Sequence, residues 1–245
     1  MCTGVFSGMV VVEVISFDVW NTILDTKKMF ALLSAELARA LQIELEKSPR
    51  VEKAVHKVYD RCRQRRRLGE INGFDIVVES QALLAQELGT SHEVVMSAIE
   101  KALSTVDPQH LAYSDAISVL ELLYKLGFRM GVVGNTVFWS SRYTRGLLER
   151  LGVARFFEIM VFSDATRINK PDRRIFLLFA KQMDVDPGSV AHVGDSVIED
   201  VGGALSAGMK AIHIDRGRKS RLVLKDLGLA LISELHQIID VLEEL

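Results

Sequence analysis

A chain of 245 residues, 49% hydrophobic and 25% charged, can bury a substantial core and has the make-up of an ordinary globular protein. A formal net charge of −2 excludes a global attraction to nucleic acid or anionic membrane. The two cysteines, Cys2 and Cys62, argue against a disulfide framework and for a reducing, cytoplasmic setting.

No apolar run approaches the ~20 residues that a bilayer-spanning helix needs. The first residues lack the basic segment of a signal peptide, and Glu13 interrupts their apolar stretch. Residues 1–8 read as a loose extension before Met9. The first predicted element is then the run Val10 to Ile15, which ends in one acidic residue, Asp18, and a polar turn, Asn21-Thr22. A stretch so rich in Val and Ile suits a parallel-sheet strand buried on both faces. Ligands of open α/β sheets bind beyond the carboxyl ends of the strands, where Asp18 stands.

From Thr26 to about Pro108 the pattern is helix after helix. Phe30, Leu33, Leu37 and Leu41 recur at helical spacing. Ser48-Pro49 starts a second helix, with Ser48 as N-cap, and Val51, Val55 and Val58 carry its apolar face toward Arg61–Arg67. Phe74 to Leu88 is a third helix, stopped by Gly89. Ser91 caps a fourth that runs to about Leu103, and Asp107-Pro108 breaks it.

β-α alternation then begins. Ile117 to Leu126 is a helix stopped by Gly127, Phe128 to Val133 a strand, and Gly134-Asn135-Thr136 its carboxyl-end loop. Val137 to Leu151 reads as a helix and Phe156 to Phe162 as a strand, followed by a polar loop through Lys170-Pro171. Asp172 can cap a helix over Arg173–Met183. Val190 to Val193 is a strand ending in Gly194-Asp195, Val197 to Ala207 a helix, and Lys210 to Ile214 a strand. Leu229–Ile232 can add an edge strand, and Leu235 to Leu242 a closing amphipathic helix. This alternation means a doubly wound parallel sheet.

Four carboxyl-end loops thus carry Asp18, Asn135, Lys170 and Asp195, with Glu199 and Asp200 close behind the last. Carboxylates converging on one point raise each other's pKa unless a cation sits among them. Mg²⁺ accepts such oxygen ligands, usually together with a substrate phosphate. A nearby Lys would keep Asp18 ionised and offset charge on a phosphoryl group. An Asp carboxylate can itself be the nucleophile.

These stretches resemble the four ordered motifs of the haloacid dehalogenase superfamily. The motifs are the first strand with Asp18; Gly134-Asn135; Asn169-Lys170-Pro171 with Arg174-Ile175-Phe176; and Val193-Gly194-Asp195-Ser196 with Glu199-Asp200. The match runs from about Val10 to Asp215, and His192–Ile214 is especially characteristic. The resemblance implies that Asp18 is the nucleophile and Lys170 its orienting cation. It also implies that Asp195 binds Mg²⁺ with Asp18 and the backbone carbonyl of Trp20, with Glu199 and Asp200 behind them. The expected fold is an α/β, Rossmann-like parallel-sheet core (residues 1–24 and 109–245) with an all-helical cap (25–108) over its carboxyl edge.

The chain departs from that family at two positions. Its phosphatases carry a second Asp two positions after the nucleophile as general acid and base; here Trp20 stands there and has no titratable proton near neutrality. Gly134 replaces the Ser or Thr that bonds phosphoryl oxygens, so Thr136 or backbone N–H groups would have to stand in, with Asn135 beside them. The expected activity is a Mg²⁺-dependent phosphatase of small phosphorylated molecules, favouring good leaving groups such as aryl or acyl phosphates. The alternatives are a metal-independent 2-haloacid dehalogenase, whose family members also place an aromatic residue at the position of Trp20, and a non-catalytic binding module. Asp195 weighs against the dehalogenase, because its carboxylate without a cation repels an anionic substrate.

Glu199 and Asp200 also fit a bland reading, since a helix's first turns favour acidic residues. The run Arg61 to Arg67 spreads around its helix without an aromatic ladder, which reads as a solvated helix end rather than a nucleic-acid surface. The expected partner is a small phosphorylated substrate, with no nucleic acid and no membrane, bound by a monomer or homodimer.

Overall fold

The computed structural model describes residues 12–43 and 48–245, so the expected extension 1–8, Met9, Val10 and Val11 lie outside the described residues. The first strand, β1, is Val14–Phe17, fully buried. It is followed by helices α1 (Thr26–Ala40), α2 (Ser48–Arg67), α3 (Asp75–Leu88) and α4 (His92–Thr105). Asp25 caps α1 by accepting from the backbone N–H of Lys27 and Lys28, and Ser91 caps α4 through Val94. The side chain of Ser48, the expected cap of α2, lies outside the described residues. Helix α1 packs on α4 and α2, and α2 on α3, so the four form one helical block. Its inward stripes are Met29, Phe30, Leu33 and Leu37 on α1, and Val51, Val55 and Val58 on α2.

A short α5 (Pro108–Leu111), capped by Asp107, returns the chain to the sheet. There follow α6 (Ala116–Lys125), β2 (Arg129–Gly134), α7 (Ser141–Arg150), β3 (Ile159–Phe162), α8 (Ser163–Thr166) and α9 (Arg173–Met183). The last part holds β4 (Val190–Gly194), a π-helical turn Val197–Gly202, α10 (Gly203–Ser206), β5 (Lys210–Ile214), β6 (Leu222–Leu224), β7 (Leu229–Ile232) and α11 (Ile238–Leu242). The seven-stranded sheet has the order β3-β2-β1-β4-β5-β7-β6, parallel except for β6 against β7. Phe17 pairs with Val132 on one side and Val193 on the other. Asp18 and the loops after β2 and β4 therefore leave one edge of the sheet side by side.

Several expected boundaries move, each for a local reason. The helix expected from Val137 begins only at Ser141, whose N–H and hydroxyl both donate to Asp164 (2.8 and 3.0 Å). That external cap frees Val137, Phe138 and Trp139 to turn inward, where all three are buried. The strand expected from Phe156 starts at Ile159, because residues 154–156 form a 3₁₀ turn. Strand β7 is not the edge. The edge is β6, whose three residues follow a charged stretch and give too short an alternation to be read.

Gly131 in β2 shows how closely the sheet is covered. A Cβ there would lie 2.5 Å from the Phe179 ring of α9 and 2.9 Å from the Ile159 carbonyl. Gly131→Ala should therefore destabilise the fold by about 1–3 kcal/mol, as overpacking does. Urea unfolding of the variant against the native chain measures it.

Candidate active site

Asp18 is the residue at which β1 ends, and it lies between the loops that carry Lys170 and Asp195. Lys170 Nζ donates to Asp18 Oδ1 at 2.7 Å, to Asp200 Oδ1 at 2.6 Å and to the Val133 carbonyl at 2.8 Å. Its backbone N–H donates to Asn135 Oδ1 (2.9 Å), and Asn135 Nδ2 donates back to the Lys170 carbonyl (3.1 Å). Asn135 thus fixes the lysine-bearing loop against the end of β2. Asp195 Oδ2 accepts from Asn21 Nδ2 at 3.3 Å, and Asn21 holds a left-handed backbone (φ 65°) that aims the side chain there.

One oxygen of each of Asp18, Asp195 and Asp200 lies within 4.8 Å of the others. Burial raises the Asp18 pKa to about 7, and Asp200 and Asp195 add to the rise while Lys170 opposes it. Burial also raises Asp195 to about 6, with Asp200 adding repulsion. Burial works against the charge of Asp200 too, but Lys170 and His192 outweigh it and hold that group low. Carboxylates packed so tightly that two of them resist ionisation are a donor set suited to a hard divalent cation.

Two polar residues in otherwise apolar strands complete this charge arrangement. Ser16 of β1 and His192 of β4 are register partners, and their side chains hydrogen-bond (Oγ to Nδ1, 2.8 Å). His192 Nε2 in turn lies 3.1 Å from Asp200 Oδ1. The Asp200 Oδ2 accepts from the Ser196 N–H at 2.9 Å, so Asp200 braces Lys170 from behind. Gly194 makes room for this, since a Cβ there would lie 2.3 Å from Asp200 Cγ.

The arginine run is not a solvated helix end. Arg63 Nε and Arg67 Nε donate to Glu199 Oε1 (3.1 and 2.8 Å), and Arg66 Nη2 to Glu199 Oε2 (2.7 Å). Arg66 also donates to the Thr136 carbonyl (3.2 Å), and Arg65 turns away to Glu70 and Glu79. The π-helical turn puts Glu199 in reach of α2, so its charge is spoken for by the helical block. Sequence reasoning missed these partners because a helix-wide spread of arginines looks the same whether it meets water or one buried acid.

Trp20 donates its indole N–H to Thr144 Oγ1 (3.3 Å) and packs edge-on to Trp139. The Thr136 hydroxyl faces Ser163 Oγ (3.2 Å) and the Gly73 carbonyl (3.5 Å), although the residue lines the cavity over Asp18. Gly134 admits no side chain, because a Cβ there would lie 2.6 Å from the Phe162 ring. Asp18, Trp20, Asn135, Lys170 and Asp195 all line that cavity, with Tyr59, Arg63 and Arg66 from the helical block above them.

An α/β fold whose central strand ends in a lysine-held carboxylate, with further carboxylates beside it, has the architecture of a hydrolytic enzyme. The family model of haloacid dehalogenase-like hydrolases matches residues 12–208, and the chain belongs to that family. It is 31% identical to a glyceraldehyde 3-phosphate phosphatase of Methanopyrus kandleri over 141 residues, which are 56% of this chain and 58% of that one. It is 25% identical to a phosphorylated carbohydrates phosphatase of Thermotoga maritima, over 95% of this chain and 99% of the relative. Among solved structures, the magnesium-bound HAD-hydrolase YfnB of Bacillus subtilis superposes with a TM-score of 0.72 at 20% identity, covering 95% of this chain and 99% of that one. A 2-haloacid dehalogenase of Pseudomonas syringae shares the fold at TM-score 0.66 and 22% identity, over 96% and 99% of the two chains. Among the described residues, no helix is long and apolar enough to cross a membrane.

Removing Glu199 tests the charge arrangement over the site. Glu199→Ala leaves three guanidinium groups facing one another, with the Arg66 side chain only 2% exposed. The variant should lose about 3–5 kcal/mol of stability, the usual effect of breaking a buried pair. Chemical denaturation followed by circular dichroism reads the loss.

Proposed function

We propose that the protein is a Mg²⁺-dependent phosphatase of small phosphorylated molecules that works through an aspartyl-phosphate at Asp18. The observation that carries this reading is the Lys170 ammonium held between Asp18 and Asp200, with the Asp195 carboxylate beside them. The relatives named as phosphatases support it. Asp18 and Asp195, with the Trp20 backbone carbonyl, would hold Mg²⁺, which when bound supplies charge neutralisation for the phosphoryl oxygens. Asp18 attacks phosphorus, and the leaving group departs on the opposite side. Lys170 favours the ionised form of Asp18 and orients it, and Asn135 holds the lysine loop. Because the Thr136 hydroxyl is engaged by Ser163 and the Asn135 amide by the Lys170 backbone, phosphoryl contacts from this loop fall to backbone N–H groups. Residues 25–108 act as the cap that closes over the substrate. We place the protein in the cytoplasm on its cysteine usage.

The test is hydrolysis of p-nitrophenyl phosphate with and without Mg²⁺. Activity should vanish in EDTA and fall at least about 10³-fold in Asp18→Asn. Turnover that ignores both would sink the reading, and chloride release from 2-chloropropionate in EDTA would replace it with dehalogenation. A second expectation concerns Trp20. Trp20→Asp should leave Mg²⁺ affinity unchanged, because only the backbone carbonyl is a ligand, and should raise hydrolysis of alkyl phosphates by up to about 10² while p-nitrophenyl phosphate changes less. Isothermal titration and a leaving-group series on the folded variant check both parts.

A further inference from the structure

Aromatic rings form much of the wall of the cavity. Trp20 lies 5.1 Å from Trp139, and Phe30 of α1 packs edge-on to Trp139, Phe138 and Tyr59 at 6.4, 5.9 and 4.9 Å. All five rings line the cavity that holds Asp18. That cavity is the narrower of two adjoining spaces, about 50 Å³. A groove of about 430 Å³ leads outward from it and continues past His56 and Tyr113. Phe30 and Tyr59, packed edge-on to each other, line both spaces together with Asn21, Thr26 and Asp195, so whatever the phosphoryl group is attached to passes alongside the two rings.

The same cavity is poor in proton donors. Asp18 is the nucleophile, Asp200 is bound by Lys170 and His192, Glu199 is bound by Arg63 and Arg66, and Asp195 faces the cation site. Trp20 carries no acidic proton. Tyr59 remains, and burial makes its phenol hold the proton more tightly than usual. An alkoxide leaving group would therefore find no free acid in the cavity itself; His56, Asp60 and His213 line only the groove beyond it. The oxide of an aromatic alcohol is a far weaker base and needs none.

We propose, resting on the phosphatase reading above, that the substrate is the phosphate ester of a small aromatic alcohol. Its ring lies in the groove mouth against Phe30 and Tyr59, and its oxygen leaves as the aryl oxide. The balance closes without an acid. Asp18 forms the new O–P bond as the P–O bond to the aryl group breaks, and the aryl oxide keeps that electron pair until it takes a proton from bulk water. Water then attacks phosphorus, the bond from phosphorus to the Asp18 oxygen breaks, and both protons of that water leave on the phosphate.

The test separates ring, leaving group and reaction class on the native protein with Mg²⁺. Phenylphosphonate should inhibit with a Ki at least about tenfold below that of methylphosphonate, from the apolar area it buries. Phenyl phosphate should exceed cyclohexyl phosphate, of similar size but with an alkoxide leaving group, by about 10² or more in kcat. Tyr59→Leu should weaken phenylphosphonate inhibition about three- to tenfold. Equal Ki values for the two phosphonates, or cyclohexyl phosphate turned over as fast as phenyl phosphate, would overturn the proposal. Acetyl phosphate, which has a good leaving group and no ring, distinguishes the two levels. If it, phenyl phosphate or cyclohexyl phosphate is hydrolysed while either of those results holds, only the aromatic substrate is wrong; if all three are inert, the phosphatase reading falls as well.

Discussion

The ammonium of Lys170 is the point on which the carboxyl edge of the sheet depends. Its side chain is 2% exposed, and an isolated charge so placed would cost several kcal/mol. Two carboxylates and one backbone carbonyl offset that cost, and they come from three places: the end of β1, the end of β2 and the turn after β4. A sheet with β1 between β2 and β4 brings all three within reach of one side chain. The chain order and the charge order are therefore the same constraint. Displacing any of the three loops would leave a buried cation short of a partner.

The helical block is joined to the sheet by polar contacts as much as by apolar ones. Asn169 Nδ2 donates to the Ile71 carbonyl (2.8 Å), Ser80 Oγ to that of Val137 (3.0 Å) and Gln81 Nε2 to that of Phe138 (2.7 Å). Gly73 comes so close to Ser163 that a Cβ would lie 2.1 Å from its carbonyl oxygen. Water can replace hydrogen bonds of this kind when surfaces part, which lowers the cost of separation relative to a purely apolar seam. The aromatic rings around Phe30 supply the apolar remainder.

Much of the fold was legible because apolar periodicity and stop signals coincide. Gly89 and Asp172 act locally, and the structure places their helices within a residue of the expected bounds, whereas the first strand, expected over Val10 to Ile15, is described as Val14–Phe17. The edge strand at Leu222 was not legible, since three residues carry no usable period. Neither was the late start of the helix at Ser141, which depends on Asp164 from a distant loop. At the site, Asp18, Lys170, Asn135 and Asp195 stood out as polar residues at strand ends. Ser16 and His192 could have been found as polar residues inside apolar strands, since a buried polar group needs a partner. The fate of the arginines could not, because pairing with Glu199 is set by how the block lies on the sheet.

Ser196, Glu199 and Asp200 share one turn, and this makes two seemingly separate arrangements answer to each other. Ser196 Oγ accepts from the Glu199 N–H (3.1 Å) and lies 3.4 Å from Arg67 Nη2, while the Ser196 N–H binds Asp200. The arginines that seat the helices thus pull on the same few atoms that steer the lysine. Such coupling is reciprocal by thermodynamic necessity. A seated helical block steadies the turn that braces Lys170, and a well-braced Lys170, to the same degree in free energy, keeps the block seated.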